Sequence, residues 1–123
     1  VPPIVDPNAR LSDWLAAEAD QPPYFCREEV DVIAGEELRS GTLLKLTGNE
    51  YEAWAPGDTP AGFLITAYIP GDTTAPVRAV ALVRGPATIK TNGVAWPDGI
   101  TEAQVDAVKT ALAPMLIVFR QSA

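Results

Sequence analysis

The chain has 123 residues and a mass of 13.1 kDa, enough for one domain with a real core and little besides. Nine basic against sixteen acidic residues give a formal charge of -7 and a pI near 4.4, which repels phosphate backbones and anionic lipid surfaces, so no nucleic acid and no membrane partner is expected. There is no histidine and one cysteine, so the usual neutral-pH base, the commonest metal ligand and any intramolecular disulfide are missing.

Hydrophobic residues make up 47% of the chain, which favours folding, yet no apolar run approaches the roughly 20 residues of a membrane-spanning helix. The start, VPPIVDPNAR, lacks the charged-then-apolar order of a signal peptide, and a soluble protein made in the cytoplasm is expected. Pro2, Pro3, Pro7, Pro22 and Pro23 bracket a segment from Leu11 to Ala19, in which Ser12 is placed to cap a turn or two of helix. This predicts an amino-terminal arm over residues 1–25 ahead of a domain over 26–123. Trp14 and Leu15 lie on a segment too short and too proline-flanked to fold alone. They need a surface to pack on, either their own domain or another protein. Cys26, next to Tyr24 and Phe25 and near Val30, reads as a small hydrophobe.

From Arg27 onward short strands are expected, beginning with EEVDVI, where Val30 and Val32 alternate with Glu29 and Asp31. Leu38 to Leu46, Tyr51 to Trp54 and Ala61 to Ile69 follow, separated by glycine and proline. The tetrapeptide PGDT occurs at Pro56 to Thr59 and again at Pro70 to Thr73, each time as a turn signal. After the strand Val77 to Arg84, ATIK and VAW are short strand candidates joined by a hairpin turn at Asn92-Gly93. Thr101 and Gln104 have capping-box spacing, with Glu102 in the first turn of a helix. Val105, Val108, Leu112 and Met115 form its apolar stripe, and Pro114 should end it. The closing run LIVFR, Leu116 to Arg120, returns into the sheet. The fold class expected is mainly β with a peripheral α-helix, a small antiparallel sheet or barrel-like domain.

Chemistry finds little footing. Glu29 and Asp31 are two apart on a strand, about 7 Å between side chains, the separation of an inverting acid/base pair but equally that of any wet strand face. Asp58 and Asp72 sit in turns without the ligand density of a calcium loop. Cys26 has no histidine to activate it, and no phosphate-binding glycine loop is present. No enzyme activity, cofactor or metal is therefore expected. Trp54 and Trp96 lie near proline-containing turns and serve either as core anchors or as platforms for a sugar ring. Trp96-Pro97 sits where a strand must turn into a helix, and Trp54, Trp96, Pro97 and Leu112 are the expected scaffold anchors.

Taken in order, CREEVDV, GTLLKL, YEAWAP, AGFLITAY, AVALVRGPATI, VAWPDGITEAQ and the closing LIVF resemble the head decoration, or capsid cement, proteins of tailed bacteriophages, the family that decorates the lambda head. The resemblance implies a β-rich domain, without enzyme activity, that forms homotrimers. These sit on the outer surface of the expanded capsid at local three-fold positions, bridge the major capsid protein and strengthen the shell against packaged DNA. SDWLAAEADQPPYFCREEV looks like the arm of prophage-encoded members, an arm that becomes ordered on the shell. It is longer here than in the lambda member and carries a tryptophan. Trp14, Leu15, Tyr24 and Phe25 are the expected capsid anchors of that arm. The alternative is a β-barrel module binding a small ligand or carbohydrate through Trp54 or Trp96.

Overall fold

The structure is a computed structural model and describes residues 11–18 and 26–120. A 3₁₀ turn over Leu11–Asp13 leads into β1, Leu15–Glu18. There follow β2 (Arg27–Val32), β3 (Leu38–Arg39), β4 (Leu43–Thr47), β5 (Glu50–Ala53), β6 (Gly62–Leu64), β7 (Tyr68–Ile69), β8 (Val77–Leu82) and β9 (Ala87–Lys90). The helix α1, Glu102–Leu112, and the last strand β10, Ile117–Arg120, complete the chain. The domain is mainly β with one α-helix, as its sequence pattern predicts.

Five strands close a barrel in the order β2-β5-β4-β6-β8. Four of its pairings are antiparallel, and the seam between β2 and β5 is parallel. A separate three-stranded sheet, β1-β9-β10, has β1 antiparallel and β10 parallel to the central β9. The apolar alternation explains the two-core arrangement. Leu44, Leu64, Ala81 and Val83 point into the barrel with Val30 and Val32. Their neighbours Leu43, Phe63 and Leu82 point outward, into a second core shared with Ile89 of β9, Ile117 of β10 and Val108 and Leu112 of α1. Strands buried on both faces read as continuous apolar runs, which is why GFL and the end of VRAVAL lack polar alternation.

The helix begins where its sequence says. The Thr101 hydroxyl accepts from the Gln104 N–H at 3.2 Å, and the Gln104 side chain accepts from the Thr101 N–H at 2.9 Å. Val108 and Leu112 are buried, Val105 and Met115 half-buried, and Asp106 and Thr110 exposed. The helix ends at Leu112, and a 3₁₀ turn over Ala113–Met115 carries Pro114.

Four expectations are corrected. Of the helix expected within Leu11 to Ala19, the described residues 11–18 form only a 3₁₀ turn, after which the chain extends as β1 and pairs with β9. The run Leu38 to Leu46 is two strands, broken where Gly41 takes φ +94°. The run Ala61 to Ile69 is likewise two, because Ile65 and Thr66 both donate their N–H groups to the Val80 carbonyl and bend the chain between β6 and β7. No hairpin forms at Asn92-Gly93. Both edges of β9 are taken by β1 and β10, Thr91–Gly93 is a 3₁₀ turn, and Val94 to Trp96 contributes only an isolated parallel bridge from Ala95 to Thr42.

The first PGDT copy turns as expected, with Gly57 at φ +97° and the Asp58 Oδ2 accepting from the Ala55 N–H at 3.0 Å. The second copy also turns, at Gly71 and Asp72, but without a positive φ at Gly71.

Candidate functional site

The amino-terminal segment is built into the domain by a socket. Trp14 is fully buried and stacks on Phe63 with ring centroids 5.5 Å apart. Its indole N–H donates to the Ser40 hydroxyl at 2.8 Å, and its carbonyl accepts from the Lys90 N–H at 2.6 Å. Two glycines make the room. A Cβ on Gly41 would lie 2.7 Å from the Trp14 ring, and one on Gly93 would overlap the Asp13 carbonyl. Leu15 is buried in the same core. Trp14 and Leu15 therefore staple their segment to their own domain, and a residue so enclosed has no surface to offer another protein unless it is first withdrawn. Residues 11–18 share a core and a sheet with the strands that follow them. Tyr24 and Phe25 lie outside the described residues.

Of the scaffold anchors, Leu112 is fully buried and Trp54 is 5% exposed, with its indole N–H donating to the Asp58 carbonyl at 2.7 Å. Trp96 is half-buried, donates to the Thr91 carbonyl at 2.8 Å and stacks on Phe119 at 6.2 Å, with the half-buried Pro97 beyond it. A sugar platform needs an open indole face, and the burial of Trp54 leaves it none. Cys26 is fully buried, its thiol 3.6 Å from the Pro86 carbonyl.

Four of the carboxylates, Glu28, Asp31, Glu52 and Asp58, are engaged with nearby cations. Asp31 pairs with Arg78 at 3.5 Å and Glu28 with Arg84. Glu28, Asp31 and Arg78, together with Glu29, Leu46 and Tyr51, border a shallow groove of about 270 Å³ on the barrel wall. Burial there raises the Tyr51 phenol above its ordinary range, with a smaller push from Glu28. On the neighbouring strands Lys45 reaches Asp58 at 3.1 Å and Glu52 at 3.2 Å. The Ala55 N–H and then Lys45 hold the Asp58 carboxyl below its usual range, while hydrogen bonds to Asp58 and Glu52 raise Lys45. Among the described residues no cluster of three or more histidine, cysteine or acidic side chains could hold a metal.

Open apolar surface is concentrated elsewhere. Leu116 is 61% exposed and Val118 53%. With Ala17, Pro86, Thr88 and Ala113 they line a groove of about 470 Å³ on the outer face of the three-stranded sheet. Sequence reading placed LIVFR in a sheet but did not see that the alternation along β10 buries Ile117 and leaves Val118 in solvent. The signal lay in the four consecutive apolar residues Leu116 to Phe119, which one buried face of a strand does not accommodate.

The described residues thus form a small barrel with a stapled amino-terminal strand and an open apolar sheet face. The particular family follows from comparison with known proteins. The model of the bacteriophage lambda head decoration protein D family matches residues 4–117, and the chain belongs to that family. It is a family of structural phage capsid proteins, which places the chain's role in capsid decoration and its site of action on the virion capsid. No individual curated protein matches the chain.

Proposed function

We propose that this chain binds as a homotrimer to the outer surface of the expanded phage head, at local three-fold positions on the major capsid protein, and stabilises the shell against packaged DNA. It is made in the cytoplasm of the bacterial host. The observation that carries this reading is the family match over residues 4–117. The physics is multivalency, since three weak contacts on one trimer act at high effective concentration on a symmetric lattice.

Capsid contact is assigned to the amino-terminal arm, which adds an extended strand to an open capsid sheet edge. Because Trp14 and Leu15 are enclosed in the core, their part is to fix the point from which the arm leaves the domain. The reaching part includes residues 1–10, ahead of the Trp14 staple. Tyr24 and Phe25 are proposed to add apolar contact beside it.

The test is co-sedimentation with expanded and unexpanded heads, comparing the full chain with a variant lacking residues 1–10. The full chain is expected on expanded heads only. The truncated chain, which keeps the Trp14 staple, is expected to fold and to lose binding. Full occupancy by the truncated chain would refute the arm mechanism.

A further inference from the structure

Three large hydrophobic side chains are exposed among the described residues, Leu46, Leu116 and Val118, and they lie in two places of opposite charge. The first is the outer face of the β1-β9-β10 sheet. Ala17, Thr88 and Val118 are register partners across its three strands and form an uncharged row. Leu116 stands at one end of that row. At the other end Lys90 and Arg120 are register partners, two residues beyond Thr88 and Val118 and therefore on the same side of the sheet. The opposite side of this sheet, with Leu15, Ile89 and Ile117, is sealed against the barrel, so the row faces away from it.

Leu116 is held in place. It takes φ +63°, unusual for leucine, and its loop is tied down by hydrogen bonds from the Gly85 N–H to the Met115 carbonyl at 2.7 Å and from the Ala87 N–H to the Leu116 carbonyl at 3.1 Å. A strained backbone that keeps a large apolar side chain in water persists only where the surroundings enforce it, and such sites concentrate at contacts with function.

The second place is the groove on the barrel wall, where Leu46 on β4 lies among Glu28, Glu29 and Asp31, with Arg78 the cation of the lining. Arg84 pairs with Glu28 from outside the groove. Even with both arginines counted, three carboxylates against two guanidiniums leave the surface around Leu46 acidic. One surface is thus apolar with a basic end and the other apolar with an acidic surround.

We infer that these are the two halves of one contact between copies of this chain: Leu116 and Val118, with Arg120, seat on the Leu46 and Glu29 surface of the next copy. The inference rests on the homotrimer reading and names its contact surfaces. On a chain of charge -7 a second copy is repelled over most of the surface, and the sheet face is where that repulsion is replaced by attraction. Arg120 at one end of the row opposes pairing of the face with itself about a two-fold axis. It favours a head-to-tail contact between unlike surfaces, the kind that closes into rings.

The experiment is sedimentation equilibrium of the full chain up to about 1 mM, with co-sedimentation on expanded heads in parallel. Wild type is expected to associate. Val118→Glu and Leu46→Glu each place a carboxylate in the contact and are expected to weaken association about a hundredfold, with circular dichroism and melting unchanged because both positions are exposed. Arg120→Glu should weaken association as well, and Glu29→Arg introduced with it should restore it. A wild type that stays monomeric throughout, an oligomer indifferent to both glutamate variants, or one broken by Val118→Glu but not Leu46→Glu would overturn the pairing of these surfaces. Loss of head binding by Val118→Glu with association unchanged would assign the face to the capsid protein and overturn it too. Wild type that associates as stated but ignores heads would refute capsid decoration and leave the contact standing.

Discussion

Replacing Trp14 by alanine separates a core residue from a free arm residue. The side chain is fully buried, stacked on Phe63 and hydrogen-bonded to Ser40, itself 1% exposed. Truncating a buried aromatic to alanine costs about 3–5 kcal/mol. The Ser40 hydroxyl left without its donor adds about 1 kcal/mol, limited because the vacated space can take water. The sum, about 4–6 kcal/mol, is comparable to the whole stability of an average small domain, about 5–15 kcal/mol. Trp14→Phe keeps a ring against Phe63 but loses the indole donor and some volume, and about 1–2 kcal/mol is expected. Urea unfolding followed by far-ultraviolet circular dichroism measures both, since the loss of a tryptophan does not disturb that signal. If Trp14→Ala cost less than about 1 kcal/mol, the segment would be an arm that only rests on the domain, and the socket argument would be wrong.

Gly93→Ala approaches the same socket from the other side: its Cβ would overlap the Asp13 carbonyl, so the Leu11–Asp13 turn must shift, and a loss of about 2–4 kcal/mol is expected in the same assay. Asp58 has a folded pKa below its ordinary 3.8, so its contribution is present above that value and disappears as pH falls through the lower folded value. Asp58→Asn should therefore melt below wild type at neutral pH, and the gap should close on acidification past 3.8; a gap constant with pH would contradict the assignment.

Local chemistry was the legible part of the sequence. The Thr101–Gln104 capping box, the Val108 and Leu112 stripe and the first PGDT turn are set by residues within four positions of one another, and each is found as read. What sequence could not supply were choices between distant partners. Asn92-Gly93 has the composition of a hairpin turn, but β9 had already found better neighbours in β1, from the start of the chain, and β10, from its end. Trp14 looked unaccommodated because its socket is assembled from Ser40, Gly41, Phe63 and Gly93, none near it in sequence. The same blindness hid the exposed row on β10. Val118 and Ile117 are equally apolar as letters, and only the packing of β9 and α1 decides which of them is buried.

The staple bears on how a small protein can hold a capsid. In the proposed arm mechanism the reach is measured from the fixed point at Trp14, at most about 3.5 Å for each residue of extended chain. A neighbouring site within that reach is met at millimolar effective concentration, and sites beyond it are not met at all. If each arm binds with a dissociation constant near 1 mM, about 4 kcal/mol, one arm alone would not stay bound at cellular concentrations. In the proposed trimer, three joined arms would multiply that affinity by factors of about 10²–10⁴, provided the exit points match the lattice spacing. Pinning the exit point thus favours lattice-matched binding over longer reach. That is why a residue buried in the domain core, and not one exposed on the arm, is expected to govern which lattice the protein can decorate.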